Sequence, residues 1–261
     1  MNRDERCIIG VVPVRMGSTR FPGKPLALIH GMPMIGHVWF RCRQSKLLDA
    51  VYIATCDQEI ADYASSIGAP CIMTKDTHER CTERTAEAVS ILESRGEVSP
   101  DIVVMIQGDE PMTTPEMIDT ALAPMLNEPS IQVVNLMAPI ATAEEHADPN
   151  EIKVVTDLAS NALYFSRQPI PTRARAGQAA PPISKQVCVI PFRRDFLLEF
   201  DTLAPTPLEI AESIDMLRVL EHGRDVRMAP TDAVSFSVDT ESDRQRVERA
   251  MTGDPLMASY L

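Results

Sequence analysis

The sequence predicts an α/β protein built on a mostly parallel sheet, with a smaller antiparallel insertion in its second half. Through the first 130 residues, short apolar β-branched runs alternate with helical stripes, and beyond them the alternation breaks down. Cys7–Val14 (CIIGVVPV) is continuously apolar, as a strand buried on both faces requires. Met34, Ile35, Val38, Trp39 and Cys42 fall on one face of a helix, and Val51–Ala54 reads as the next strand. Asp57 is placed to cap a helix carrying the stripe Ile60, Ala61, Ala64 and Ile67, with Gly68 to close it. Ile102–Ile106 is a further buried strand, and Thr114-Pro115 opens a helix that faces Ile118, Leu122 and Met125 inward. Such an alternation implies right-handed βαβ units, whose ligands bind beyond the carboxyl ends of the strands.

After about residue 130, strands are expected at Ile131–Met137, Ile152–Val155 and Val187–Phe192, around the Pro-, Ala- and Arg-rich stretch Pro169–Pro182. This insertion either closes over a site or forms a dimer interface. Pro207–His222 returns to helix with Leu208, Ala211, Ile214 and Leu217 on one side. A strand near Val226–Ala229 and a helix near Asp243–Met251 follow. The chain divides at 1–130, 131–206 and 207–261 within one continuous domain.

Composition narrows the function. With 261 residues, 44% apolar and 24% charged, the chain has the make-up of a globular enzyme. A net charge of -12 argues against a general nucleic-acid binder, which needs cations to neutralise phosphates. No apolar run approaches the roughly 20 residues of a membrane span. Met1–Arg6 carries acids and leads into a short apolar run, so a cytoplasmic protein without a cleaved leader is expected. The six cysteines form no Cys-x-x-Cys pair and read as reduced thiols.

The cations concentrate at one strand end. Val14–Leu26 holds Arg15, Arg20 and Lys24 with Gly17, Gly23, Ser18 and Thr19, a composition suited to a triphosphate. It is not a P-loop: five residues separate Gly17 from Gly23, and Pro25 stands where G-x-x-x-x-G-K-S/T places its hydroxyl. A phosphotransferase of that type is thereby disfavoured. At the end of Ile102–Ile106, Gln107-Gly108-Asp109-Glu110-Pro111 offers a carboxylate, with a glycine that would let the backbone approach a ligand. Neither a Ser-His-Asp nor a Cys-His set suggests nucleophilic catalysis.

Arg15-x-x-Ser18-x-Arg20-x-Pro22-Gly23-Lys24-Pro25-Leu26 resembles the opening signature of the cytidylyltransferases that activate sugar acids, in particular the 3-deoxy-manno-octulosonate (KDO) cytidylyltransferases. The resemblance continues through Val51–Asp57, Gln107–Pro111, Ala162–Arg167 and Val238-Asp239-Thr240, in family order over nearly the whole chain. It implies a Rossmann-like nucleotide-diphospho-sugar transferase fold and transfer of CMP from CTP to a small acid with loss of pyrophosphate. It also implies a cytoplasmic homodimer, with neither nucleic acid nor membrane as partner. The three segments then become a nucleotide-binding half, an acceptor or dimerisation insertion, and a return helix with a metal-site strand end. By the same resemblance, Asp109 and Asp239 hold Mg2+, although Asp239 in Val-Asp-Thr also reads as an ordinary helix cap. Arg15, Lys24 and Asp109 carry catalysis. Met16, Gly17, Ser18, Arg20, Thr82 and Arg84 join them in binding the nucleotide, and Thr82 is equally suited to capping a helix.

The chain also departs from the family. Arg80-Cys81-Thr82-Glu83-Arg84 stands where the family writes Ser-Gly-Thr-Glu-Arg. Gln186-Val187-Cys188-Val189-Ile190-Pro191-Phe192-Arg193 replaces His-x-Gly-Ile-Tyr-x-Tyr-Arg, and Asp215 replaces a Glu. Gln107 and Arg167 are kept and can grip an anionic end, so the acceptor residues are Gln107, Arg167, Gln186, Ile190 and Asp215. Exchanging a His and a Tyr for an amide and an aliphatic wall favours an acceptor other than KDO, with a phosphonoformate-like phosphonate first. KDO itself is the alternative, and a non-catalytic nucleotide-binding protein the third reading.

Overall fold

Both faces of the first strand are buried, and this sets the centre of the molecule. The computed structural model describes residues 6–18, 20–172 and 182–261, so most of the Pro-rich stretch 169–182 and Thr19 lie outside the described residues. The chain begins with β1 (Ile8–Pro13), a small hairpin of β2 (Leu28–Ile29) and β3 (Met32–Pro33), and α1 (Met34–Cys42). Then come β4 (Ala50–Thr55), α2 (Gln58–Ser66), β5 (Cys71–Met73), α3 (Cys81–Ser94), β6 (Ile102–Ile106) and α4 (Pro115–Asn127). β1 pairs in parallel with β4 on one side and β6 on the other, and β5 extends the sheet beyond β4. Along β1, Ile8 and Val12 join the core that includes Ile35, Val38 and Ile118 of α1 and α4. Ile9 and Val11 join the opposite core, which includes Ala86 and Val89 of α3. The continuous apolar run of this strand follows from that two-sided burial.

The second half contributes β7 (Val134–Pro139), α5 (Ala143–Ala147), β8 (Lys153–Thr156), β9 (Ala162–Ser166), β10 (Ser184–Val187) and β11 (Val189–Arg193). It continues with α6 (Arg194–Thr202), α7 (Pro207–Glu212), α8 (Asp215–Glu221), β12 (Arg227–Pro230) and α9 (Glu241–Ala250). The second sheet, five-stranded like the first, runs β12-β7-β10-β8-β9 and is antiparallel except for β12 on β7. The single strand expected at Val187–Phe192 is in fact two. The chain leaves the second sheet at Val187 and enters the mostly parallel one at Val189, where β11 lies antiparallel on β6. Cys188 is the crossing point, and its carbonyl accepts from the Gln107 N–H at 3.1 Å.

Three further expectations need correction. The helix read at Pro207–His222 breaks at Ser213, whose φ of 56° lies in the left-handed region, so Asp215 starts a new helix. Asp57 does not cap α2, although Gly68, at φ 72°, does follow that helix as expected. Thr240, not Asp239, caps α9 by accepting from Asp243 N. The short strand β5 and the short helix α6 lacked a long enough period to be read. β9 went unread because its mixed run ALYFS leaves Leu163 exposed. Among the described residues no helix is long and apolar enough to cross a membrane, and all six cysteines are free thiols.

The break between α7 and α8 is held by a buried ion pair. Arg218 donates from Nε and Nη2 to the two carboxylate oxygens of Glu209 at 2.7 and 2.6 Å, with side chains 3% and 1% exposed. Without Glu209, the buried Arg218 keeps only Glu83 as an ion-pair partner among the described residues, 3.5 Å from its Nη2, so Glu209→Ala should lower unfolding free energy by about 3 kcal/mol. Urea denaturation checks this, and a loss below about 1 kcal/mol would contradict it.

Candidate active site

The loop after β1 is held open by its own backbone and by one aspartate. Asp57, at the end of β4, accepts from the Met16 N–H at 2.7 Å, which is why its carboxylate is not available to α2. Met16 O in turn accepts from Ser18 N at 2.9 Å and Gly23 N at 3.3 Å, curling the loop into a cradle. Gly23 has φ 73°, a conformation that a residue with a Cβ adopts only under strain. Arg15 and Arg20 project from this cradle, Arg15 Nη1 donating to His78 O at 3.1 Å and Arg20 Nη2 lying 2.9 Å from Asp239 Oδ1.

Lys24 turns inward. Its Nζ donates to Asp109 Oδ2 at 2.7 Å, to Val238 O at 2.9 Å and to Asp239 Oδ1 at 3.2 Å. Burial works against the charge on Lys24, but the two carboxylates outweigh it and raise the pKa above the ordinary lysine value. The aspartates meet because Val238 N donates to Asp109 O at 2.9 Å, tying the segment before α9 to the end of β6. Gly108 lines the cleft, and a Cβ there would stand 3.1 Å from Val14 Cβ, so a larger residue would have to push Val14 aside. Next to Asp109, burial pushes the Glu110 carboxyl up to about 7. Its oxygens accept from Ser235 Oγ at 2.8 Å and Cys188 N at 3.4 Å.

Two adjoining cavities open at this strand end. The larger, about 390 Å³, runs from the 15–24 loop to the start of α3 and α8. The smaller, about 140 Å³, lies against the second sheet, and Arg20, Gln107, Asp109, Arg167, Gln186 and Asp239 line both. Arg167 is fixed by three carbonyls, donating to Glu212 O at 2.7 Å, Pro149 O at 2.9 Å and Ser213 O at 3.3 Å. Gln186 donates from Nε2 to Asn135 Oδ1 at 2.5 Å. Ile190 reaches the larger cavity but is 1% exposed and belongs to the core shared with Met105 and Phe192. Burial pushes the Cys81 thiol up to about 12 and raises that of Cys188, so neither is a thiolate nucleophile at neutral pH.

Of the residues singled out from the sequence, Arg15, Gly17, Ser18, Arg20, Lys24, Gln107, Asp109, Arg167, Gln186, Ile190, Asp215 and Asp239 line the cleft. Three do not. Met16 contributes its backbone to the cradle. Arg84 is 3% exposed, with Nη1 donating to Thr74 Oγ1 and to Lys75 O. Thr82 lies inside α3 rather than capping it and donates to Asp215 Oδ2 at 2.6 Å. Arg80 takes the cap position and reaches across the cleft, donating to Ser213 Oγ at 2.9 Å and lying 3.5 Å from Asp215 Oδ1. Asp57 and Asn135 were missed as supports of the site. The sequence signal for Asn135 is a lone amide within the apolar run Val133–Met137.

Residues 9–226 match the family described as Cytidylyltransferase. The chain is 43% identical over 245 residues to the 3-deoxy-manno-octulosonate cytidylyltransferase of Pelobacter propionicus, covering 90% of this chain and 94% of that one. It is 41% identical over 253 residues to the same enzyme of Syntrophotalea carbinolica, covering 94% and 99%. Among solved structures, CMP:2-keto-3-deoxy-manno-octonic acid synthetase complexed with CTP matches with a TM-score of 0.86 at 35% identity, covering 95% of this chain and 99% of that one. A 4-diphosphocytidyl-2C-methyl-D-erythritol synthase, at TM-score 0.64 and 13% identity, covers 95% and 100% and shares the Rossmann-like fold.

The cradle depends on Asp57, so Asp57→Ala should weaken CTP binding about tenfold, the weight of one hydrogen bond to a charged group. Calorimetric titration with CTP measures this; an unchanged affinity would remove Asp57 from the support of the loop.

Proposed function

The chain belongs to the cytidylyltransferase family, and we propose that within it the protein transfers CMP from CTP to KDO, releasing pyrophosphate. The observation that carries this reading is the pair of adjoining cavities at the end of β6, which share cations and carboxylates along their common wall. The larger takes the nucleotide, with Arg15, Arg20 and Lys24 neutralising the triphosphate. The smaller takes the acid, drawn by the guanidinium of Arg167 and the amides of Gln107 and Gln186. An acceptor oxygen attacks the α-phosphorus as the bond to pyrophosphate breaks, and the hydroxyl proton is released. Positioning and charge stabilisation carry the step.

The Lys24 ammonium between Asp109 and Asp239 marks where a cation is stabilised. Among the described residues no three His, Cys, Asp or Glu side chains gather to hold a metal. Two carboxylates with open positions fit magnesium, which takes one or two protein carboxylates and completes its shell with water and phosphate oxygens. Asp109 and Asp239 would hold it, and it would supply charge neutralisation at the phosphate oxygens.

KDO replaces the phosphonate as the favoured acceptor on two grounds. Relatives at 41–43% identity over most of the chain bear the KDO name. The departures at 186 and 190 also change the cleft less than their residue types suggest. Gln186 keeps a polar group at the wall, and Ile190 is largely a core residue.

Pyrophosphate release with each of the four nucleoside triphosphates, against KDO, sialic acid and phosphonoformate, tests the reading. CTP with KDO should be fastest, and turnover of phosphonoformate without KDO would overturn it. Asp109→Asn should lower kcat by at least about 100-fold with an unchanged circular dichroism spectrum, as loss of a charge-stabilising group does. EDTA should abolish activity and magnesium restore it. Lys24→Ala should raise KM for CTP by about tenfold or more, the loss of one charge-assisted contact, with a much smaller change for KDO.

A further inference from the structure

We propose that Asn135 is a positioning residue that fixes the carboxamide of Gln186, so that its carbonyl oxygen, and not its NH2 group, is presented to the acceptor. The inference rests on the reading of the smaller cavity as the acid site. Asn135 lies on β7 and is 0% exposed. Its Nδ2 donates to Leu136 O at 2.8 Å and to Val187 O at 2.9 Å, so both amide hydrogens go to backbone carbonyls. The side chain cannot be turned over, because its own oxygen would then face two carbonyl oxygens. Oδ1 is thereby fixed as an acceptor, and it meets Gln186 Nε2 at 2.5 Å.

That contact settles the second amide. Gln186 must give its NH2 group to Asn135, because the reverse orientation would set two carbonyl oxygens against each other. Gln186 is further anchored through its backbone N–H, which donates to Ile152 O at 2.8 Å. Among the described residues nothing donates to Gln186 Oε1. Gln186 lines both cavities beside Gln107 and Arg167, so this oxygen is the group it offers to a ligand. A fixed carbonyl oxygen attracts a hydroxyl and repels a carboxylate or phosphonate oxygen. Position 186 therefore reads a neutral hydrogen-bond donor on the acid, while the anionic end is left to Arg167. The substrate class that satisfies both is a polyhydroxy acid, in which carboxylate and hydroxyls lie on separate carbons.

The test is steady-state kinetics with CTP and KDO for the wild type, Gln186→Met, Asn135→Ala and the double variant. Methionine matches glutamine in length and offers no strong acceptor. Gln186→Met should raise KM for KDO by about tenfold or more and leave KM for CTP within about twofold, as expected for loss of one acceptor-side hydrogen bond. Asn135→Ala should raise KM for KDO several-fold in the wild type and add nothing in the Gln186→Met background, because it acts through that side chain. Asn135→Ser serves if the alanine variant does not fold. KDO analogues each lacking one hydroxyl should include one whose penalty in the wild type disappears in Gln186→Met. Multiplying effects in the double variant, or an unchanged KM for KDO in Gln186→Met, would overturn the proposal. If the wild type turns over another acid and not KDO, the acceptor assignment fails instead. The same four proteins measured on that acid then decide the role of Asn135.

Discussion

One ammonium between two carboxylates organises the active end of the sheet. Lys24 comes from the loop after β1, Asp109 from the end of β6 and Asp239 from the segment before α9, so the contact joins the start, middle and end of the chain. Two like charges brought this close in a partly buried place need a counter-charge. The lysine supplies it, and the Val238–Asp109 backbone bond keeps the acids in place. Arg20 adds a second cation, 2.9 Å from Asp239 Oδ1, so two positive charges answer the two carboxylates.

Around that contact, the protein supports its site with groups that never touch it. Asp57 spends its carboxylate on the Met16 peptide and leaves α2 uncapped. Glu209 and Arg218 bury a charge pair to hold a helix break that delivers Asp215 to the cleft. In each case local regularity is given up so that a loop keeps one shape, as expected where binding geometry matters more than helix propensity.

Much of the architecture was legible in the sequence because it rests on periodicity. The two-sided burial of β1 and β6, the Thr114 cap and the closure at Gly68 are local, and each is encoded within a few residues. The cation loop and Asp109 were legible because their residue types cluster at a strand end. What escaped depends on long-range partners. The parting of β10 and β11 at Cys188 is set by which neighbouring strand each can pair with. Asp57 was misread as a cap, and Asp239 carried a cap as its second reading, because a carboxylate before a helix gives the same local signal whether it bonds the helix or a distant group. Ile190 reads from the sequence as a cleft residue, and its second place, in the core with Met105 and Phe192, shows only in the fold.

The crossing at Cys188 has an evolutionary consequence. One residue hands the chain from one sheet to the other, so the wall carrying Gln186 and the floor carrying Asp109 are riveted together by neighbouring backbone bonds. Widening the pocket by sliding one sheet would break both ladders at once. Side chains at positions such as 135 and 186 can be exchanged on a frame that leaves the Asp109 strand end where it is. The walls of the cleft can change one side chain at a time, whereas its seam can move only if two strand ladders move with it.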